Sequence, residues 1–310
     1  MLKKSSEYTL CVSLFFIVIF ILPTSVSATV LNDNQKFSSY NCETNEEYSY
    51  SISNWANVKE TPGTSDNNND ISTTQIIGDC NFIKIENPSE YQYTRAVAFL
   101  TATFKYGDNN EITTRTYSTA TMIGNSTALT AAHCIYNANY GGYADFVTIS
   151  PARNGSSYPY GTTKATKLSI PSLYKTKNIP ANDIAVINLL DPIGRKSGYL
   201  SCKCVDENTL TYYYTIVDLI GYPKTGEKNL SGETTKSGEM WGMGGSITSV
   251  DGKTLQHLCD AVNGHSGSAL VYMQKYIVGV HNKYPRNDTT FNWGCRIDSE
   301  YLKWINGLLK

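Results

Sequence analysis

Three residues of the types used in acyl transfer stand in short motifs along the chain: His133, Asp183 and Ser266. The chain has only four histidines, so a base that activates a serine must be His133, His257, His265 or His281. His133 ends an apolar run among small residues, in Leu129-Thr130-Ala131-Ala132-His133-Cys134. Taken alone, it could equally be a buried, hydrogen-bonded core histidine.

Asp183 begins the apolar segment Asp183-Ile184-Ala185-Val186-Ile187-Asn188-Leu189. A carboxylate in this position is often a residue that ends a turn. It can also act as a semi-buried acceptor, which fixes the tautomer of an imidazole and stabilises the imidazolium formed during proton transfer.

Ser266 lies in Gly264-His265-Ser266-Gly267-Ser268, which could be an ordinary turn between strands. A nucleophilic serine must project from such a tight turn while backbone N–H groups converge on the developing oxyanion. Glycines permit that backbone shape because they have no Cβ atom. The amides of Gly264 and Ser266 are the predicted oxyanion donors.

The order of the three motifs carries more information than any one of them. His133, Asp183 and Ser266 are separated by 50 and 83 residues. The order His, Asp, Ser differs from the order Ser, Asp/Glu, His of α/β-hydrolases, and Ser268 breaks the G-x-S-x-G elbow of that class. Together the motifs predict a serine nucleophile with a histidine base and an aspartate that orients it.

The elements that must position these residues read mainly as short strands. Apolar or alternating runs rich in Val, Ile, Thr and Tyr favour a pleated surface, and turn residues separate them. They are Ala96–Phe104, Ser118–Ile123, Asp145–Ile149, Ile184–Leu190, Tyr212–Ile220 and Tyr276–Val280. Many short strands indicate an all-β sandwich or barrel. Only the C-terminus predicts a helix, capped by Ser299, with Tyr301, Leu302, Ile305, Leu308 and Leu309 as its apolar stripe.

The first 75 residues contain two segments of different character. Lys3 and Lys4 precede a run of 13 mostly apolar residues, followed by Val26-Ser27-Ala28. This pattern predicts a secretory signal peptide over residues 1–28, because the run is shorter than the ~20 residues that span a bilayer. Residues 29–75 are polar and aperiodic and predict a linker or pro-segment. We therefore expect a secreted, extracellular protein with a folded region over residues 76–310.

Composition and cysteine content limit which partners, disulfides and metal sites the chain can have. A net charge of −1 gives no electrostatic reason to expect nucleic acid as a partner. Seven of the eight cysteines lie outside the signal, and in an exported protein we expect most of them in disulfides. Cys202-Lys203-Cys204 is not a CxxC pair, and no pair has zinc-finger spacing, so no metal site is predicted.

The motifs resemble a known family. Thr130–Cys134 and Asp183–Leu189 are similar to the histidine and aspartate motifs of trypsin-like serine proteases. The serine motif, with Ser268, resembles the V8-like glutamyl endopeptidase branch of bacteria. Further segments that resemble this branch are Gly221-Tyr222-Pro223, Met240-Trp241, Leu255-Gln256, Val278-Gly279-Val280-His281 and the N-terminus-like Ile76-Ile77-Gly78. The resemblance covers about residues 76–305.

The resemblance implies the chymotrypsin fold: two six-stranded antiparallel β-barrels with the active-site cleft between them and a C-terminal helix. It implies a serine endopeptidase that uses no cofactor and acts on protein or peptide substrates as a monomer. Maturation near Ile76 and a disulfide between Cys259 and Cys295 across the specificity pocket follow from the same comparison. After removal of the signal, no membrane association is expected.

Substrate specificity remains open at this level. In glutamyl endopeptidases a histidine at the position of His281 helps bind the glutamate carboxylate before the scissile bond, so this resemblance favours acidic substrates. The usual threonine five residues before the serine is Ala261 here. Asp260 matches in spacing the pocket aspartate by which trypsins select Lys or Arg, which gives the alternative of basic specificity. A second alternative is a secreted binding module that keeps the fold without catalysis.

Overall fold

The computed structural model describes residues 36–52, 81–213, 215–283 and 290–310. The predicted signal peptide and the Ile76–Gly78 motif lie outside them. The described strands in the first half are β1 (Lys36–Asn41), β2 (Glu46–Ser51), β3 (Ile83–Lys84), β4 (Val97–Tyr106), β5 (Ile112–Gly124), β6 (Thr127–Thr130), β7 (Tyr136–Asn137), β8 (Gly142–Tyr143), β9 (Phe146–Pro151), β10 (Thr163–Pro171) and β11 (Ala185–Leu189).

The second half continues with β12 (Ser201–Cys202), β13 (Ile216–Gly221), β14 (Trp241–Asp251), β15 (Thr254–His257), β16 (Ala269–Tyr272), β17 (Tyr276–Lys283) and β18 (Asn292–Arg296). The described α-helices are α1 (Gln92–Arg95), α2 (Gly194–Ser197), α3 (Glu207–Leu210) and α4 (Ser299–Leu308). Among the described residues no helix is long and apolar enough to cross a membrane.

Two closed antiparallel barrels organise these strands. The first has the order β11-β6-β5-β4-β9-β10 and is closed by the pairing of β10 with β11. The second has the order β17-β16-β13-β14-β15-β18 and is closed by β17 with β18. Each barrel encloses its own apolar side chains, such as Leu100 and Leu129 in the first and Leu219 and Leu270 in the second. The predicted all-β fold with two six-stranded barrels is therefore confirmed.

The N-terminal hairpin, β1 with β2, extends the first barrel beyond its six strands. Strand β1 pairs with the part of β10 that β9 leaves open, and Phe37 lies opposite Pro171. Phe37 is fully buried and stacks on Trp304 of α4, with ring centroids 4.6 Å apart. The polar composition of residues 29–75 predicts no strand in this segment. The hairpin buries its apolar surface only against β10 and α4, and a local sequence pattern does not reveal these distant partners.

Helix α4 begins at Ser299, the residue predicted to cap it, and so one residue earlier than expected. The side chain of Asp298, not Ser299, caps the helix by accepting a hydrogen bond from the backbone N–H of Tyr301 at 2.8 Å. The buried helical residues are Tyr301, Trp304, Ile305 and Leu308. This apolar face packs with the core of the first barrel.

Five of the six predicted strands differ from the observed ones mainly at their ends. The segment Tyr212–Ile220 differs more, because α3 is followed by a turn that leaves Tyr212 and Tyr213 exposed, and β13 begins only at Ile216.

The disulfide predictions fail for the described cysteines. No disulfide joins any two of Cys42, Cys134, Cys202, Cys204, Cys259 and Cys295. The proposed bridge between Cys259 and Cys295 is wrong, because Cys295 lies opposite Thr254, five residues before Cys259. The Cys259 sulfur faces the carbonyl of Val217, whereas the Cys295 sulfur faces the carbonyl of Ala181. Cys11 and Cys80 lie outside the described residues.

Candidate active site

His133 and Asp183 meet because two neighbouring strands of the first barrel place them side by side. Strand β6 leads into the short turn Ala132–Cys134, and a second turn, Pro180–Asn182, leads into β11. Thr130 at the end of β6 pairs with Ala185 at the start of β11. The two side chains just outside this register therefore lie together, although 50 residues separate them in the chain.

The Asp183 carboxylate holds the imidazole of His133 in one orientation. Its Oδ2 lies 2.7 Å from His133 Nδ1, and its Oδ1 accepts the His133 backbone N–H at 3.0 Å. Asp183 is 1 % exposed and His133 5 %. Because a carboxylate only accepts, Nδ1 carries a hydrogen and Nε2 has an available lone pair. No described residue forms a hydrogen bond with Nε2, so this nitrogen is left to act as a base.

Ser266 lies in a loop, Asn263–Ser268, whose shape depends on glycine at two positions. Gly264 and Gly267 have φ values of +94° and +75°, in the left-handed region that favours glycine. A Cβ atom on Gly264 would also lie only 2.3 Å from the carbonyl oxygen of Tyr222. We call residues 263–268 the serine loop.

Thr119 of the first barrel anchors the serine loop. Its hydroxyl donates to the carbonyl of Gly264 at 2.9 Å and accepts the backbone N–H of Tyr222 at 2.5 Å. On the same side, the Lys224 N–H donates to the carbonyl of Asn263 at 2.6 Å. One side of the serine loop is therefore fixed against residues 222–224.

The other side of the serine loop packs on β17. The Gly267 N–H donates to the carbonyl of His281, and the His281 N–H donates to the carbonyl of Ser268 at 2.8 Å. These bonds place Ser266 beside His281. His133 is also close enough to lower the pKa of His281 electrostatically. His133 and Asp183 thus come from the first barrel, and Ser266 and His281 come from the second.

His281 has a buried partner that the sequence did not indicate. His257 Nε2 lies 3.0 Å from His281 Nδ1, and the rings meet nearly edge to face at 78°. Both strands that carry them pair with β18, which brings His257 opposite Asn292 and His281 opposite Gly294. The contact therefore arises from strand register, and no local motif around His257 reveals it.

Burial keeps both rings neutral. Desolvation lowers the pKa of His257 to about 3. Desolvation, together with the nearby His257, His265 and His133, holds the pKa of His281 well below its usual range. A neutral imidazole carries one hydrogen, so the shared contact decides which nitrogen of His281 can donate elsewhere.

Asp260 and Ala261, the other predicted pocket residues, are both buried. The Asp260 carboxylate accepts the backbone N–H of Asn81 at 3.0 Å. This bond ties Asp260 to the segment just before β3, the short strand that pairs with β14. Ala261 packs in the apolar core of that barrel. Among the described residues no group of three His, Cys, Asp or Glu side chains could hold a metal ion.

Comparisons with known proteins show which proteins the chain is similar to. The family model described as Trypsin matches residues 94–305. The glutamyl endopeptidase of Bacillus licheniformis is 30% identical over 237 residues, covering 74% of this chain and 67% of the relative. A protein of Bacillus subtilis named extracellular metalloprotease is 24% identical over 246 residues, covering 76% and 71%.

A solved structure is also similar. The structure of a Glu endopeptidase in complex with MPD superimposes with a TM-score of 0.61 at 29% identity, covering 75% of this chain and 98% of that one.

Proposed function

Since the chain belongs to the trypsin family of serine endopeptidases, in its V8-like glutamyl endopeptidase branch, we propose that it is a secreted enzyme that cleaves after glutamate with His133, Asp183 and Ser266 as its catalytic triad. The observation that carries the triad is the bond between His133 Nδ1 and Asp183, which leaves Nε2 as the base.

In this mechanism His133 removes the proton of Ser266 as the Ser266 oxygen attacks the peptide carbonyl. Asp183 stabilises the imidazolium that forms, and His133 then protonates the leaving amine. Water, activated by the same histidine, hydrolyses the acyl-enzyme. The bond between base and nucleophile is often long in an unliganded enzyme and tightens when substrate binds.

The backbone amides of Gly264 and Ser266 are proposed to donate to the oxyanion. Such donors are effective because they are fixed before the charge develops. The positive φ of Gly264 and the bond from Thr119 to its carbonyl support this role, because both hold the peptide in one orientation.

His281 is proposed to bind the substrate glutamate. A carboxylate that leaves water needs donors, or its desolvation is uncompensated. If His257 Nε2–H donates to His281 Nδ1, the single hydrogen of neutral His281 is on Nε2 and can be donated to the substrate. His257 then acts as a positioning residue for His281.

Basic specificity through Asp260 is less well supported. The Asp260 carboxylate is 1 % exposed and is engaged by the backbone of Asn81, so it is not an open anion available to a Lys or Arg side chain. The relative from Bacillus licheniformis is itself named for glutamyl cleavage. We therefore propose glutamate as the preferred residue before the scissile bond.

Export and maturation belong to the same proposal. The signal-like residues 1–28 support secretion, and the Bacillus subtilis relative is named extracellular. We propose that residues 29–75 are a pro-segment and that cleavage near Ile76 gives the active form.

Two measurements with one control test this function. The mature enzyme should react with a fluorophosphonate probe and should cleave a peptide with Glu before the scissile bond faster than its Gln or Lys counterparts. Ser266→Ala should lose the labelling and about 10⁴–10⁶-fold of the hydrolysis, since triad residues act as a unit. Undiminished hydrolysis by Ser266→Ala would refute the triad. Preference for Lys, abolished by Asp260→Ala, would refute the specificity.

A further inference from the structure

A cavity lies on the side of the serine loop away from His281. Its volume is about 440 Å³, and its walls include Phe99, Tyr117, Tyr222, Arg115 and Lys224. Lys224 is the residue whose backbone N–H bonds to Asn263, and Tyr222 is the residue against which Gly264 packs. The cavity is therefore lined by residues 222–224, the segment to which the serine loop is bonded.

The two sides of the serine loop face different parts of a bound substrate. His281 on β17 is proposed to bind the side chain before the scissile bond. An extended peptide that passes over Ser266 must then continue toward residues 222–224. The cavity consequently lies on the leaving-group side, an assignment that rests on the proposed function.

The floor of the cavity is aromatic and held in place by neighbouring rings. Phe99 meets Tyr222 edge to face at 5.5 Å and stacks with Tyr117 at 5.7 Å. The guanidinium of Arg153 lies 4.2 Å from the centre of the Phe99 ring, which places a third positive charge at this floor. The Tyr222 hydroxyl donates to the carbonyl of Arg153 at 3.0 Å and fixes both residues.

The charge around the cavity is of one sign. Arg115 and Lys224 line it, and none of its lining residues is an Asp or Glu. Within the described parts of the chain, no carboxylate forms an ion pair with Arg115, Lys224 or Arg153. The carboxylates of the following loop have other partners: Glu227 accepts from Asn263, and Glu233 accepts from Asn229.

We propose that this cavity is a second specificity site, which binds an acidic side chain of the substrate at the first or second position after the scissile bond. The aliphatic part of the side chain packs on the aromatic floor, and Arg115 and Lys224 attract its carboxylate. Because both cations are exposed, the gain is modest and depends on salt: each exposed pair contributes up to about fivefold.

The test uses peptides with a fixed Glu before the scissile bond and Glu, Gln or Lys at each of the two following positions. At one of them kcat/KM should be about tenfold higher for Glu than for Lys at low ionic strength, and the ratio should fall toward 1 in about 0.5 M NaCl. Arg115→Gln and Lys224→Gln should each reduce that ratio. Lys196→Gln, on α2, is the matched control and should leave it unchanged.

The outcomes separate this proposal from the proposed function. Equal rates for Glu and Lys at both following positions would overturn the second site, even if the enzyme still requires Glu before the bond. Loss of the requirement for Glu before the bond would overturn the proposed specificity alone, and the ratios after the bond would then be measured in the same peptide series carrying the residue that the enzyme prefers before the bond. An acidic preference that both variants retain would also overturn the assignment to this cavity.

Discussion

At the scale of single residues, the contact between His257 and His281 governs which hydrogen the candidate glutamate pocket can offer. The two rings are 3.0 Å apart at their facing nitrogens, and both are buried. A buried imidazole with no fixed partner can adopt either tautomer, and only one of them donates through Nε2. When His257 donates through Nε2, as proposed above, it fixes the tautomer of His281 without adding a charge.

Replacing His257 by Phe should therefore weaken glutamate recognition while the triad stays intact. The ratio of kcat/KM for Glu over Gln peptides should fall about tenfold, the size expected for weakening one hydrogen bond to a charged group. Phe preserves an aromatic ring at this buried position. Fluorophosphonate labelling of Ser266 is the internal control and should not change. An unaltered Glu/Gln ratio would show that His257 only fills space.

At the scale of elements, the N-terminal hairpin is bonded to the first barrel and packs on its surface. Ser39 and Ser169 share a buried hydrogen bond of 2.6 Å between β1 and β10. The Trp304 indole N–H donates to the Tyr50 hydroxyl at 3.0 Å, and Lys175 pairs with Glu47. The hairpin thus covers both the edge of β10 and the aromatic face of α4.

Phe37→Ala should measure what this cover contributes to stability. Removing a fully buried aromatic ring costs about 3–5 kcal/mol in other proteins. We expect a lower urea midpoint, measured in the Ser266→Ala background to prevent self-digestion. Tyr48→Ala, on the exposed face of β2, is the matched control and should change the midpoint little. Equal midpoints for Phe37→Ala and its parent would mean that the hairpin does not stabilise the barrel.

How far sequence reasoning succeeds at this scale depends on the range of the interactions. The strand Val97–Tyr106 and the glycine-containing loop around Ser266 can be predicted from the sequence, because a local pattern specifies each of them. Strand β1 cannot be predicted in this way, since its large apolar residue, Phe37, packs on Trp304 near the other end of the chain. The contact between His257 and His281 could not be predicted for a similar reason, because the pairing of both strands with β18 sets the register that brings the two rings together.

At the scale of the whole molecule, stability should depend on pH through buried neutral histidines. Desolvation lowers the pKa of His257 to about 3 and that of His265 to about 4. Below pH ~6.5 each of these histidines binds a proton in the unfolded state but not in the folded state, so acidification favours unfolding. Each ring then costs up to about 1.4 kcal/mol per pH unit.

The free energy of unfolding of Ser266→Ala should accordingly fall between pH 6 and pH 5, by urea denaturation. Adding His265→Gln should make that fall smaller by about 1 kcal/mol, because one such histidine is gone. An identical fall with and without His265 would contradict the assignment of a depressed pKa to this ring.

Maturation provides a further prediction at this scale. The hairpin residues that contact β10 and α4 all lie before residue 52, and the proposed cleavage near Ile76 breaks none of these contacts. The purified active enzyme should therefore give two N-terminal sequences, one near Thr29 and one near Ile76. A single sequence beginning near Ile76 would show that the hairpin leaves.

The packing of Phe37 on Trp304 then has a thermodynamic consequence. In the uncut chain the hairpin is tethered, so its binding is intramolecular and independent of dilution. After the proposed cleavage near Ile76 it would become a ligand of the rest of the enzyme, and the stability it contributes would follow mass action. Only dilution far below the dissociation constant of the fragment would release it and leave the edge of β10 open to pairing with another chain. The proposed maturation would thereby make the stability of the enzyme depend on its concentration.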